Sequence, residues 1–153
     1  MNLDYIEPFV SSTVNVLRAV LHSPVEPGNV SLVRVQELNG QVSVVIGLRD
    51  LPGESVILNM DIGSALGICA VMNGASGADL DTAGMDAIGE LANMIAGNAI
   101  TALNERGFAF SVQPPASIEY ADLPALTKGL EVFQVPVAVG QGRLTVNFTI
   151  RTN

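Results

Sequence analysis

One stretch carries residues whose types and spacing can do chemistry together: Asp86-Ala-Ile-Gly-Glu90-Leu-Ala-Asn93-Met-Ile-Ala-Gly97-Asn98. On a helix, at about 100° per residue, Asp86, Glu90, Asn93 and Gly97 fall within an arc of ~60°. Ile88, Leu91, Ala92, Ile95, Ala99 and Leu103 take the opposite side and supply a core face. An asparagine amide is a poor general base and no nucleophile. It accepts and donates hydrogen bonds, and so it can orient a water molecule. That chemistry suits a partner which already holds a labile phosphoryl group and its metal. Gly97 and nearby Gly89 also stand out, because a glycine inside a helix costs about 1 kcal/mol relative to alanine. On the outer side Gly97 brings no packing within the chain, but it leaves room for another backbone. On spacing alone, Glu-x-x-Asn is equally what a solvated helix face looks like.

Other polar residues offer less. The lone histidine, His22, ends a helical pattern beside Ser23-Pro24 and has no cysteine or acidic ligand cluster with it. Cys69 lies among Ile68, Ala70 and Val71, which suits a buried inert thiol. Asp79, Asp81 and Glu119 read as solvated surface. Gly140-Gln141-Gly142 joins two strand-like runs with no helix after it, so it is a turn and not a phosphate cradle. No His/Cys/Asp/Glu cluster has ligand spacing, so no metal is expected on this chain.

The helix that carries the polar stripe is expected from about Asp81 to Glu105, with Asp81-Thr82 as cap and Gly107 as stop. Before it, a buried Ala/Gly-rich helix runs from Ile62 to Met72, followed by a flexible link from Asn73 to Ala78. The first helix spans about Asp4 to Leu21, with Ile6, Phe9, Val10, Val14, Leu17, Val20 and Leu21 at helical spacing and Pro24, Pro27 and Gly28 ending it. Strand-like runs are Ser31–Leu38, Gln41–Leu48 after an Asn39-Gly40 hairpin turn, and Ser55–Met60. In the second half they are Phe108–Val112 continuing towards Ile118, Glu131–Val139 and Leu144–Ile150. The order of helix and three strands, given twice, predicts one α+β domain over residues 1–153. It is an antiparallel sheet of about six strands with helices packed on it, in two pseudo-symmetric halves.

Composition removes several classes of function. The net charge is −8 and the seven basic residues are scattered, so nothing can neutralise a row of phosphates or an anionic membrane. The mean hydropathy is +0.42, but the longest uncharged run, Ile62 to Ala78, has 17 residues with four glycines. A spanning helix needs about 20 apolar residues, so that run reads as core. The opening residues include Asp4 and Glu7 and no basic cluster, unlike a secretory signal. A single cysteine excludes an internal disulfide and points to the reducing cytoplasm.

The string Asp86-x-x-x-Glu90-x-x-Asn93-x-x-x-Gly97-Asn98 resembles the signature of the CheC/CheX/FliY phosphatases of bacterial chemotaxis. The opening Tyr5-Ile6-Glu7-Pro8-Phe9, onward to Val16-Leu17, is similar to the first helix of the CheX branch, and the element order matches over essentially the whole chain. The resemblance implies a phosphatase acting on the phospho-aspartate of a CheY-like response regulator. Asn93 would then position the attacking water and Glu90 would pair with the regulator's active-site lysine. Asp86, Gly97 and Asn98 would contact the regulator, which supplies the Mg²⁺. CheC-like members carry the motif on both symmetry-related helices. Here the first helix reads Ser11-Ser12-Thr13-Val14-Asn15-Val16-Leu17-Arg18, without Glu-x-x-Asn. That implies one site per chain and, as in CheX-like proteins, a homodimer.

Two other functions compete. A non-catalytic scaffold of the flagellar-switch type shares the fold, but the intact Glu-x-x-Asn argues against it. A small-molecule hydrolase needs a nucleophile or metal cluster that the sequence does not offer.

Overall fold

The computed structural model describes residues 4–74, 80–140 and 142–151. Helix α1 (Ile6–Leu21) buries Phe9, Val14, Leu17 and Leu21 on one side and ends at His22. His22 lies in the left-handed region (φ 52°) with its N–H donating to Arg18 O at 3.0 Å, so it is a helix terminator at the surface. Strands β1 (Val25–Pro27), β2 (Ser31–Val33), β3 (Val42–Gly47) and β4 (Ser55–Met60) follow, then helix α2 (Ile62–Asn73). Helix α3 (Thr82–Glu105), strand β5 (Ala116–Ser117), the short helix α4 (Leu123–Leu126) and strands β6 (Glu131–Val139) and β7 (Gly142–Ile150) complete the chain.

Every strand pairing is antiparallel, in the order β1-β6-β7-β4-β3-β5, with β2 also on β6. Exchanging β1 with β5, β6 with β3 and β7 with β4 maps this order onto itself. The two halves are therefore related by a pseudo-twofold between β4 and β7. Each half lends its first strand to the other: β1 pairs with β6, and β5 with β3.

Helices α1, α2 and α3 cover one face. Beneath them lie Val44, Ile46, Val56, Leu58, Val135, Val137, Val146 and Phe148 from alternate strand positions. Strands expose alternate residues to opposite faces, so the other face carries Ser43, Asn59, Thr145, Asn147 and Thr149. These buried polar groups satisfy one another: Asn59 Nδ2 donates to Ser43 Oγ at 2.7 Å and Asn147 Nδ2 to Thr145 Oγ1 at 2.9 Å. A smaller apolar cluster of Leu38, Ile57, Leu123 and Val132 covers part of that side.

Three expectations are corrected. Asn39-Gly40 is not a hairpin turn, because β2 pairs with β6 and residues 35–37 form a 3-10 turn instead. Leu38 is fully buried in the smaller cluster, which draws this segment off the sheet. Gly40 serves a close approach instead: a Cβ there would lie 2.4 Å from Met60 O. Second, the run from Phe108 towards Ile118 is mostly irregular, with one bridge at Val112 and the two-residue β5. Pro114 and Pro115 have no N–H to give a ladder, and Phe110 instead packs on Tyr5 with ring centroids 5.8 Å apart. Third, α2 is only partly buried: Ala65, Ile68 and Cys69 face the core while Ile62 and Val71 are exposed. Asp81 is the expected cap of α3: it stays exposed, and its carboxylate accepts the Gly84 N–H at 2.8 Å. Asp79 and most of the expected flexible link lie outside the described residues.

Candidate functional site

Helix α3 is fixed at both ends and along one side. Asp81 caps its start, and Gly107 (φ 92°) ends it, with the Phe108 N–H returning to Leu103 O at 3.0 Å. Ile88, Leu91, Ala92, Ile95, Ala99 and Leu103 are all buried, so the helix cannot rotate about its axis. Asp86, Glu90, Asn93 and Gly97 are exposed on the other side, as the spacing predicts, and Asn98 is exposed beside them.

The stripe serves two separate grooves. Asp86, Glu90 and Asn93 line one of about 310 Å³, together with Met85, Gly89, Val44, Pro115 and Ser117. Gly97 and Asn98 line a second, of about 370 Å³, between α3 and α1. There the Glu7 carboxylate accepts from the Ser11 hydroxyl and from Arg106 Nη2. Those two donors hold the Glu7 carboxyl below its ordinary range. Asn98 donates its amide to Met94 O at 3.0 Å, so its own helix turn holds it. A Cβ added at Gly97 or Gly89 would meet nothing within 4 Å. Both glycines therefore leave open space on the outer surface of α3.

Glu90 and Asn93 differ from most polar side chains of this fold. Among the described residues neither has a hydrogen-bond or ion-pair partner. Nothing in the sequence pointed to Val44, Pro115 or Ser117 as groove residues. They reach the groove because β5 pairs with β3, a contact that no local pattern encodes. Among the described residues, no group of three His, Cys, Asp or Glu could hold a metal ion. No described helix is long and apolar enough to cross a membrane.

A family model described as chemotaxis phosphatase CheX matches residues 42–138, which include α3, β5 and the whole Asn93 groove. The chain belongs to the CheX family. A CheX from Thermotoga maritima, described as a CheY-P phosphatase, is 28% identical over 140 residues, covering 91% of this chain and 90% of that protein. The CheX of a CheX–CheY–BeF₃–Mg²⁺ complex from Borrelia burgdorferi is 32% identical, covers 99% of this chain and 100% of its own, and superposes with a TM-score of 0.76. A CheX crystal structure from Desulfovibrio desulfuricans is 26% identical over 95% of this chain and 98% of its own, with a TM-score of 0.74. Such coverage places the relatives and this chain on one α+β plan from end to end.

Proposed function

We propose that this CheX-family chain hydrolyses the acyl phosphate on an aspartate of a CheY-like response regulator. The observation that carries this reading is the pair Glu90 and Asn93. They lie one helical turn apart in one groove, exposed and unpartnered, on a helix whose other side is locked into the core. A surface helix with no task has little reason to hold an amide and two open glycines on one stripe.

Phosphoryl transfer passes through a loose transition state, so catalysis is mostly positioning and charge stabilisation. The regulator brings the phospho-aspartate and the Mg²⁺, and the Borrelia complex contains CheY and Mg²⁺ beside its CheX. What remains to be supplied is an in-line water. Asn93 Oδ1 accepts a hydrogen bond from that water and orients its lone pair towards phosphorus. The new P–O bond forms as the bond to the aspartyl oxygen breaks, releasing inorganic phosphate and the free carboxylate. Glu90 pairs with a lysine of the regulator and fixes the docked register. Asp86 lies beside it on the same rim, and Gly97 and Asn98 carry the contact surface towards α1.

A cytoplasmic homodimer belongs to the same proposal. The apolar strand β7 does not supply its interface, because Leu144, Val146, Phe148 and Ile150 are buried in the chain's own core. Val30 and Leu32, 53% and 61% exposed near the outer strands, are better placed for it. A solution mass near 16.0 kDa at micromolar concentration would refute the dimer.

Phosphate release from a phosphorylated regulator, with and without the protein, tests the activity. Asn93→Ala should lower turnover by ~10²-fold or more while binding to a phosphate-mimic regulator survives. Glu90→Ala should weaken binding by at most a few kcal/mol, with turnover recovered at high regulator concentration. Binding without any phosphate release would instead identify a scaffold, and full turnover by Asn93→Ala would sink the mechanism.

A further inference from the structure

We propose that Ser117 orients the Asn93 amide and is thus a positioning residue for the hydrolysis proposed above, on which this inference rests. The Asn93 groove has two walls. Helix α3 gives Asp86, Glu90 and Asn93, and the chain around β5 gives Pro115 and Ser117. Ser117 pairs with Val44 across the β3–β5 ladder. Residues directly opposite in a ladder point to the same face of the sheet. Val44 is 2% exposed and belongs to the core beneath the helices, so the Ser117 side chain also stands on the helix-covered face, at the edge next to α3.

An amide that orients water must itself be oriented. Its oxygen and nitrogen ends differ by a half-turn, and only one arrangement presents Oδ1 to a water proton. Three other asparagine amides of this fold are fixed from within. Asn59 bonds Gly40 and Ser43, Asn147 bonds Ile57 and Thr145, and Asn98 bonds Met94. Asn93 has no such partner among the described residues, and neither has the Ser117 hydroxyl. Of the other side chains lining the groove, Val44, Met85 and Pro115 carry no strong hydrogen-bonding group, Asp86 lies seven residues, about 10 Å, from Asn93 along the helix, and the Glu90 carboxylate is engaged by the regulator's lysine. Ser117 is the acceptor left for the Asn93 amide. A water held by its hydroxyl accepts Nδ2–H of Asn93 and leaves Oδ1 for the attacking water.

Phosphate release measured against regulator concentration, with thermal melting alongside, tests this for Ser117→Ala and Ser117→Thr. The expected result is a fall in kcat of about three- to tenfold for Ser117→Ala, the size of one neutral hydrogen bond, with KM and Tm unmoved. Ser117→Thr, which keeps the hydroxyl, should retain wild-type kcat. An unchanged kcat in Ser117→Ala overturns the proposal. So does a rise in KM alone, which would make Ser117 a docking contact, or a Ser117→Thr variant as slow as alanine. Asn93→Ala, run in parallel, separates the two levels. If it is inactive while Ser117→Ala keeps full kcat, only this inference fails; if it is fully active, the phosphatase mechanism itself fails.

Discussion

Replacing Gly97 by alanine should make this protein more stable and a poorer binder at the same time. Gly97 lies inside α3 and is absent from the glycines with positive φ, so alanine adopts its backbone without strain. The added methyl would meet no atom within 4 Å, so no packing term opposes the gain. The full propensity difference then applies, about 0.8–1 kcal/mol. For a chain of this length that corresponds to a rise in Tm of about 2–4 °C. Gly89 has the same open surroundings and lies about 12 Å away along the helix, so the two gains should add. The double variant Gly89→Ala/Gly97→Ala should therefore melt about 4–8 °C higher. Binding should move the other way. Gly97→Ala should weaken capture of a phosphate-mimic regulator several-fold, and the longer side chain of Gly97→Leu should block it. Calorimetry of the free protein and titration calorimetry with the regulator read the two effects separately. A lowered Tm would refute the assignment of open space at Gly97. A raised Tm with undiminished binding by Gly97→Leu would refute its role in letting a partner approach.

Gly40→Ala should have the opposite sign to Gly97→Ala, because its Cβ would press on Met60 O at 2.4 Å and Asn59 Oδ1 at 2.8 Å. A loss of about 1–3 kcal/mol in urea unfolding is expected, and a neutral result would contradict the close approach. Glu7 has its carboxyl pKa lowered by the Ser11 hydroxyl first and Arg106 second, so its stabilising effect is present above the unfolded carboxyl pKa and is lost as pH falls through the folded one. Both partners in the 2.7 Å ion pair are more than half exposed, so Arg106→Gln should cost at most about 1 kcal/mol at pH 7 and nothing in strong acid, read from unfolding curves at the two pH values. Burial, aided by the Asp81 charge, raises the pKa of the Cys69 thiol, which donates to Gly84 O at 3.2 Å. A thiol reagent should label it only at the rate of unfolding, and rapid stoichiometric labelling of the native protein would contradict the burial.

The parts of this fold legible in the sequence are those decided by neighbours in the chain. Helix α3 announces itself through a capping acid, a 3.6-residue apolar rhythm and a terminal glycine, and the structure keeps its expected limits within a residue. Strands β4 and β6 have the expected ends because their apolar runs are bounded by turn residues or prolines. The failures share one cause. Asn39-Gly40 looks like a hairpin turn until Leu38 finds its partners, Ile57, Leu123 and Val132, far along the chain. The run after Phe108 looks like a strand until Pro114 and Pro115 interrupt it and Phe110 turns towards Tyr5. The candidate site divides in the same way. Glu90 and Asn93 are readable from helical spacing, whereas the wall facing them depends on β5 lying beside β3.

The exchange of first strands between the two halves sets a timetable for a chain emerging from the ribosome. Val25 cannot take its place until Val139 has been made, roughly 110 residues later. At a synthesis rate of 5–20 residues per second, β1 waits for about 6–23 s. Strand β4 likewise waits for β7, its neighbour on the side away from β3. For that interval the apolar Ser55–Met60 segment has only one of its two final neighbours, an open edge of the kind that recruits other chains. The first half therefore cannot fold to completion as an independent unit, and truncation after α3 would leave a sheet without its middle. Synthesis of β6 and β7 closes that open edge.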